Sequence, residues 1–248
     1  RRRRALAGCT VKENLIDEFK KTLSFKLTGA QERVINECLS DMMSPRPMNR
    51  LIQGDVGSGK TAVAAALMYI SAGNGFQSAL MAPTELLAEQ HFKTLCKITE
   101  NSGIKCALLT GSLTKKQKDE VKAGLKSGEI KVAVGTHALL TDDVEFENLG
   151  LVVTDEQHRF GVDQRAALSA KGDDPHLLVM SATPIPRTLG LLMYGDLDIS
   201  VLDELPPGRK PIKTWFITGK KRRDMYGFIE KQLAAGHQAY VVCPAIEE

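Results

Sequence analysis

The residues best suited to chemistry form one run, Gly54-Asp-Val-Gly-Ser-Gly-Lys-Thr61. Glycines allow backbone N–H groups to close around phosphate oxygens, because no Cβ stands in the way. A lysine at this position reaches the β- and γ-phosphates of a nucleotide, and the hydroxyl after it holds Mg²⁺. The spacing therefore predicts a nucleoside triphosphate site. The predicted phosphate-binding residues are Gly54, Asp55, Val56, Gly57, Ser58, Gly59, Lys60 and Thr61.

The flanking sequence favours this interpretation over a glycine-rich turn that only precedes a core helix. Leu51-Ile52 has the pattern of a short apolar strand, and Ala62–Tyr69 has high helix propensity. A strand, a glycine loop and a helix in this order are the context that a P-loop requires. The N-terminus of the helix would add about half a positive charge beside the phosphates.

A pair of carboxylates, Asp155 and Glu156, follows the apolar run Leu149–Val153. In a P-loop ATPase a carboxylate in this position holds the Mg²⁺ that Thr61 also contacts, and its neighbour activates the attacking water. The alternative is a solvated acidic turn, which the P-loop upstream disfavours. We therefore predict that Lys60, Asp155 and Glu156 are catalytic, and that Thr61 and Asp155 bind the metal.

The histidines differ in their sequence context. His158 lies in the same turn as the predicted metal ligand, and we expect it to join the catalytic group by sensing the γ-phosphate. His91 and His137 have no such partner in the sequence, and we assign both to the core or the surface.

Apolar strands alternate with helices along the chain, and polar clusters follow the strands. The predicted strands cover 76–82, 105–109, 130–134, 149–153 and 176–180. The predicted helices cover 11–23, 28–43, 62–69, 84–98 and 114–127. Thr28 and Gln31 have the spacing of a capping box at the start of the second helix. The alternation predicts an α/β fold with a mostly parallel sheet covered by helices on both faces, and such sheets bind ligands beyond the carboxyl ends of their strands.

Composition limits the class of protein. The chain has 248 residues, of which 43% are hydrophobic and 25% charged, as is typical of globular proteins. The net charge of +3 permits a nucleic-acid partner without requiring one. No apolar run is long enough to cross a membrane. The five scattered cysteines form no closely spaced pair, which predicts reduced intracellular thiols.

Changes in composition predict four segments. Residues 1–23 form a linker and an amphipathic helix, and residues 24–203 form the nucleotide-binding domain. Residues 204–211 contain three prolines and a glycine, which is typical of a hinge linker. Residues 212–248 begin a second domain, and we expect the chain to be a piece of a longer protein. The second domain is predicted to contain strands at 213–217 and 238–243 and a helix at 220–235.

The motifs together resemble a known family. The Gln31 region, the P-loop, Ala82–His91, Gly135–His137, Asp155–His158 and Ser181–Thr183 appear in the order of the first half of a superfamily 2 helicase. More narrowly, Asp155–Val162 and Ser181–Leu189 closely resemble the RecG family of bacterial ATP-dependent DNA helicases. The resemblance covers nearly all of the chain. It implies a first RecA-like ATP-binding domain followed by the truncated beginning of a second one.

Two alternatives stay open. The transcription-repair coupling translocase Mfd shares the segment Arg159-Phe-Gly-Val162 but has Glu-Gln where this chain has Gln157-His158. From a different class, the chain could be an ATP-binding module that has no motor activity in isolation.

The resemblance also implies roles for single residues, with ATP and Mg²⁺ as cofactors. Gln31 would read the adenine edge, and Phe25 would stack nearby. Thr84 and Thr136 would contact DNA phosphates from loops at strand ends. Ser181 and Thr183 would couple the γ-phosphate to domain movement. Arg187 would contact phosphate or the other domain.

The implied activity is ATP-driven movement on branched DNA, at stalled forks and Holliday junctions, in recombination and repair. Relatives carry an N-terminal wedge domain before the region matched here and an arginine finger in a second lobe, which would lie after Glu248. We therefore expect this chain alone to be weakly active or inactive. We also expect a monomer that is cytoplasmic, at the bacterial nucleoid, and not bound to a membrane.

Overall fold

The computed structural model describes residues 12, 14–155, 167–182, 197–204 and 212–243. The chain divides into two compact units, Arg1–Pro207 and Gly208–Glu248. Every helix in the described ranges is too short or too polar to traverse a lipid bilayer. The cysteines within those ranges, Cys38, Cys96, Cys106 and Cys243, are free thiols.

The first unit is built on one seven-stranded sheet, which confirms the predicted α/β fold. The strands are β1 (Asn49–Gly54), β2 (Gln77–Met81), β3 (Cys106–Leu109), β4 (Val132–Gly135), β5 (Leu149–Asp155), β6 (His176–Ser181) and β7 (Asp198–Leu202). Their order in the sheet is β3-β4-β2-β5-β6-β1-β7, and each neighbouring pair is parallel. Because all strands point the same way, their carboxyl ends form one edge.

Helices cover both faces of this sheet. The helices that lie wholly within the described residues of the first unit are α1 (Asn14–Thr22), α2 (Gly29–Met43), α3 (Lys60–Gly73), α4 (Glu85–Thr99) and α5 (Lys115–Lys126). Along β2, Leu80 packs in the core that α1 to α4 share, whereas Ala79 and Met81 pack in the core that contains Leu125 of α5. Side chains alternate across a strand, so consecutive apolar residues fill both cores.

Local signals in the sequence explain where the helices begin. Thr28 Oγ1 accepts a hydrogen bond from Gln31 N at 3.2 Å, and Gln31 Oε1 accepts one from Thr28 N at 3.0 Å. This is the predicted capping box, and it satisfies two donors that a helix start leaves unpaired. The amphipathic helix expected at 11–23 is α1, which packs its Phe19 ring 5.7 Å from the Tyr69 ring of α3.

Strand β7 was not expected from the sequence. Its residues Asp198-Ile-Ser-Val-Leu202 alternate between polar and apolar types, without the continuous apolar run of the other strands. It lies at the edge of the sheet beside β1, and an edge strand in a half-exposed position does not need to be apolar on both faces. Because its residues are partly polar, the sequence pattern did not predict this strand.

Within residues 212–243, which are the described part of the second unit, there is one α-helix, α6 (Arg222–Ala234), preceded by the 3₁₀ turn Gly219–Lys221. The helix predicted at 220–235 is confirmed. The strands predicted at 213–217 and 238–243 are wrong, because both segments lack regular secondary structure. A strand is completed by hydrogen bonds to a neighbouring strand, and the described part of this unit supplies none.

Candidate nucleotide site and the adjoining strand ends

The P-loop connects β1 to α3 and depends on its glycines. Gly57 and Gly59 have φ angles of +79° and +89°, in the left-handed region that favours glycine. A Cβ added to Gly59 would lie only 2.1 Å from Nε2 of Gln31. Any other residue at position 59 would therefore be strained in its backbone and would also push Gln31 away.

The loop is held by its own polar groups. Lys60 Nζ donates to the carbonyl oxygens of Gly54 at 2.7 Å and Asp55 at 3.0 Å. Asp55 Oδ1 accepts from Val56 N at 2.7 Å, and Ser58 N donates to Asp55 O at 3.1 Å. An ammonium group and the N-terminus of α3 therefore meet at one point, which is the donor set that binds phosphate.

Gln31 joins the start of α2 to this loop. Its side chain is 3% exposed, and Nε2 donates to Ser58 O at 2.9 Å while Oε1 closes the capping box. A carboxamide has two donor hydrogens and two acceptor lone pairs. One donor and one acceptor of Gln31 are thus left for a further partner.

A cavity opens beside Gln31. Its volume is about 500 Å³, within the range of small-molecule sites. The lining includes Phe25, Lys26, Thr28, Gln31, Gly57 and Gly59. Phe25 is 52% exposed, so part of its ring is available for stacking. The structure thus brings Phe25, Gln31 and the P-loop together at one site.

Asp155 ends β5 and contacts a residue that the sequence analysis set aside. Its Oδ2 lies 2.7 Å from Nε2 of His91 in α4, and the two residues are only 9% and 7% exposed. The sequence analysis assigned His91 to the core or the surface; the structure buries it and adds a contact to Asp155 that the sequence did not indicate. A signal was present, because Ala88 and Leu95 lie one turn before and after His91 and mark the buried face of α4.

Predicted nucleotide-site residues lie at the carboxyl ends of three adjacent strands, β5, β6 and β1. Asp155 is paired with Met180 of β6, and Ser181 of β6 is paired with Gln53 of β1. Strands in a sheet lie about 4.8 Å apart, so Asp155 and the P-loop are separated by about 10 Å across the sheet edge. Ser181 is fully buried between them.

The hydroxyl residues predicted to contact DNA lie along the other half of the edge. Thr84 follows β2, is exposed, and caps α4 by accepting a hydrogen bond from Leu87 N at 3.3 Å. Thr136 follows β4 and is 9% exposed. Its N–H donates to Leu109 O at 3.4 Å. Of the two threonines, Thr84 is thus the more accessible to a partner.

A further contact at this half of the edge was missed in the sequence. Glu85 Oε1 accepts a hydrogen bond from Ser112 N at 3.1 Å. Hydrogen bonding to Ser112, first from its side chain and then from its backbone N–H, lowers the pKa of Glu85. The contact connects the loop after β3 to the first residue of α4. Glu85 and Ser112 are 27 residues apart, and only the fold brings them together.

Comparison with known proteins identifies a family whose matched region contains this site. The profile of the DEAD/DEAH box helicases matches residues 28–191, which include the P-loop and Asp155. This chain belongs to the DEAD/DEAH box helicase family.

Within the helicases, this chain is about half identical to RecG proteins. RecG of Bacillus subtilis is 54% identical over 230 residues, which are 93% of this chain and 34% of that protein. RecG of Thermotoga maritima is 50% identical over 238 residues, which are 96% of this chain and 30% of that protein. The resemblance to RecG is confirmed, and the chain spans about a third of the length of these relatives.

Solved structures agree with this assignment. A RecG bound to a three-way DNA junction aligns with a TM-score of 0.85 and 45% identity over 98% of this chain and 32% of that one. A DEAD box protein from Methanococcus jannaschii aligns with a TM-score of 0.57 and 21% identity over 78% of this chain and 55% of that one. The second likeness shows the fold alone.

Only part of the helicase motifs is described in the structure. Asp155 and Ser181 are described, whereas Glu156, His158, Thr183 and Arg187 lie outside the described residues. Among the residues that are described, no three His, Cys, Asp or Glu side chains are grouped to hold a metal ion. Magnesium is commonly held by one or two carboxylates together with substrate phosphates, and the Thr61 hydroxyl and the Asp155 carboxylate are donors of that kind.

Proposed function

We propose that this chain is the ATP-binding lobe of a DNA helicase or translocase that acts on branched DNA in recombination and repair. The observation that carries the proposal is the P-loop and Asp155 at the same sheet edge, on two strands separated only by β6, in a chain about half identical to RecG proteins. The RecG structure with a three-way DNA junction supports branched DNA as the substrate class. The proposal includes a monomeric protein in the bacterial cytoplasm.

ATP binds with its phosphates in the loop 54–61 and its base in the adjoining cavity. Lys60 exchanges its contacts with loop carbonyls for the β- and γ-phosphates, which are stronger, charge-assisted partners. The spare donor and acceptor of Gln31 match the N7 and N6 positions of adenine. Phe25 stacks against the base from the exposed side of the cavity.

Hydrolysis uses residues at the ends of β5 and β6. Thr61 and Asp155 would hold Mg²⁺, which would supply positive charge to offset the charge that develops on the phosphates. Glu156 orients the attacking water and His158 senses the γ-phosphate. Ser181 and Thr183 report the state of the nucleotide to the rest of the protein.

DNA runs along the half of the sheet edge formed by β2 and β4. Thr84 and Thr136 contact phosphates through hydroxyl and backbone N–H groups, which carry no sequence preference. Arg187 adds a contact to phosphate or to a second lobe.

Calorimetric titration of the full chain with ADP and Mg²⁺ tests the nucleotide site. Lys60→Ala should lose at least about tenfold in affinity, because a hydrogen bond to a charged group contributes about 1.5–3 kcal/mol. Lys116→Ala is the matched control, since it removes the same charge from an exposed side chain. Equal affinities of the two variants for ADP would contradict the placement of the phosphates in the loop 54–61.

The substrate is tested in a longer protein that contains these residues and has the length of the RecG relatives. A three-way DNA junction should stimulate its ATP hydrolysis more than linear duplex of equal length does, and Lys60→Ala should abolish the stimulation. Equal stimulation by both DNAs would contradict the assignment to branched DNA.

A further inference from the structure

We propose that His91 is a positioning residue for the metal site: its Nε2–H holds Oδ2 of Asp155 and so fixes the carboxylate that binds the nucleotide's Mg²⁺. The proposal rests on the function proposed above and adds to it a residue from a different helix. His91 itself contacts neither nucleotide nor metal.

The chemistry of the two groups, not the distance between them, assigns the donor. An ionised carboxylate can only accept hydrogen bonds, so Nε2 of His91 carries the hydrogen across the 2.7 Å separation. A contact of this length to a carboxylate is a strong hydrogen bond. With Oδ2 held, the Asp155 carboxylate cannot rotate freely, and its second oxygen keeps one orientation.

Both residues are carried by rigid elements. All seven residues of β5 are buried, which fixes the backbone of Asp155. In α4, Ala88 and Leu95 are 0% and 1% exposed and pack in the core on either side of His91. The imidazole is therefore pre-organised by packing, and the hydrogen bond needs little further ordering.

The contact also joins the two halves of the sheet edge. Thr84, after β2, is the N-cap of helix α4, and His91 lies about two turns further along. Strand β5 is the neighbour of β2 on the side of the nucleotide site. One hydrogen bond thus connects the helix that starts at the proposed DNA contact to the proposed metal ligand.

A second buried histidine shows what a structural histidine looks like in this chain. His176 is 0% exposed, and its Nδ1 accepts a hydrogen bond from Met48 N at 2.8 Å. It begins β6, so it lies at the opposite end of the strand from Ser181. Replacing His176 therefore disturbs a buried histidine without approaching the metal site, which makes it the matched control for His91.

The test measures metal binding directly, with Mn²⁺ as the probe. Mn²⁺ prefers the same oxygen ligands as Mg²⁺, and free Mn²⁺ is quantified by electron paramagnetic resonance. The full chain is titrated with Mn²⁺ in the presence of ADP as wild type, His91→Leu, His91→Gln and His176→Leu. Affinity for ADP without metal and the melting temperature are measured for each variant.

His91→Leu should weaken Mn²⁺ binding about 10–100-fold, the usual effect of removing a partner of a metal ligand. His91→Gln should recover most of the affinity, because its Nε2 can donate from nearly the same position. His176→Leu should lower the melting temperature and leave Mn²⁺ affinity as in wild type. ADP affinity without metal should be equal in all four proteins.

Wild-type Mn²⁺ affinity in His91→Leu would overturn the proposal, and so would a loss in His91→Gln as large as in His91→Leu. An equal loss in His176→Leu would show that lost stability, and not position, is responsible. Lys60→Ala is run in parallel: if it binds ADP as wild type does, the proposed nucleotide site fails. If Lys60→Ala loses ADP while His91→Leu keeps full Mn²⁺ affinity, only the role of His91 fails.

Discussion

Helix α3 of the first unit and helix α6 of the second differ in the exposure of their apolar side chains. Every residue of α3 from Ala62 to Ala72 is buried. In α6 every residue is exposed or half-buried, and the leucine at its C-terminal end, Leu233, is 51% exposed. Outside the helix, Trp215 and Phe216 of the second unit are 79% and 97% exposed.

The difference lies in the neighbours of each helix. Helix α3 packs against α1, α2, α4 and the sheet, so its apolar residues have partners on all sides. Within the described part of its own unit, α6 has as neighbours the turn Gly219–Lys221 and segments without regular secondary structure. Apolar residues are buried only where other elements cover them, and a small unit has few such elements. The free energy of folding should therefore reside in the first unit.

Two matched leucines test this conclusion with the largest expected effect. Leu67→Ala in α3 should lower the free energy of unfolding by about 2–5 kcal/mol, since Leu67 is 0% exposed and its loss leaves a cavity. Leu233→Ala in α6 should change it by less than about 0.5 kcal/mol, because the side chain is half exposed. Equilibrium urea unfolding followed by circular dichroism measures both values.

Similar losses from the two variants would contradict the comparison. A loss confined to Leu67→Ala would support it. A large loss from Leu233→Ala would mean that α6 is covered in solution.

The helix starts offer a second comparison, with an effect of about 1 kcal/mol. Thr28 caps α2 through its side chain, whereas Lys221 at the start of α6 makes no side-chain cap hydrogen bond. Thr28→Ala should therefore cost about 0.5–2 kcal/mol in the free energy of unfolding, and Lys221→Ala should cost almost nothing. Thermal unfolding by calorimetry distinguishes the two.

Thr114 provides the control, because it closes a second capping box at the start of α5. Thr114→Ala should destabilise the first unit about as much as Thr28→Ala does. Only Thr28→Ala should also weaken ADP binding, since Gln31 joins this cap to the P-loop. Unchanged ADP affinity in Thr28→Ala would show that the cap and the loop act independently.

Much of the first unit was predictable because its local signals agree with its tertiary structure. The capping box at Thr28, the glycines of the P-loop and the apolar run into Asp155 each fix a short segment by themselves. In a parallel sheet the strand ends share one edge, so the order of these segments already predicts a common site.

What could not be predicted depends on contacts between distant parts of the chain. His91 and Asp155 are 64 residues apart and meet only because β5 lies beside β2. Strand β7 pairs with β1 although its residues are partly polar. The segments 213–217 and 238–243 have apolar patterns but no strand pairing. Pattern alone does not reveal whether a partner is present.

The smallest expected effect concerns the end of the first unit. Arg33 of α2 donates to Asp203 Oδ1 at 2.9 Å and to Val201 O at 2.9 Å. The hydrogen bond from Arg33 lowers the pKa of Asp203 below its ordinary value of 3.8. A carboxyl group whose pKa is lowered by folding stabilises the protein above its unfolded pKa, and this contribution is lost as the pH falls through the folded pKa.

Arg33→Gln should return the pKa of Asp203 towards its ordinary value, as read from a side-chain carboxyl titration by nuclear magnetic resonance. Its cost in stability should appear at neutral pH and disappear in acid, and it should be small because exposed ion pairs contribute little. Lys220→Gln removes an exposed charge from the second unit and should leave Asp203 unchanged. If the pKa of Asp203 is the same in wild type and Arg33→Gln, the ion pair does not persist in solution.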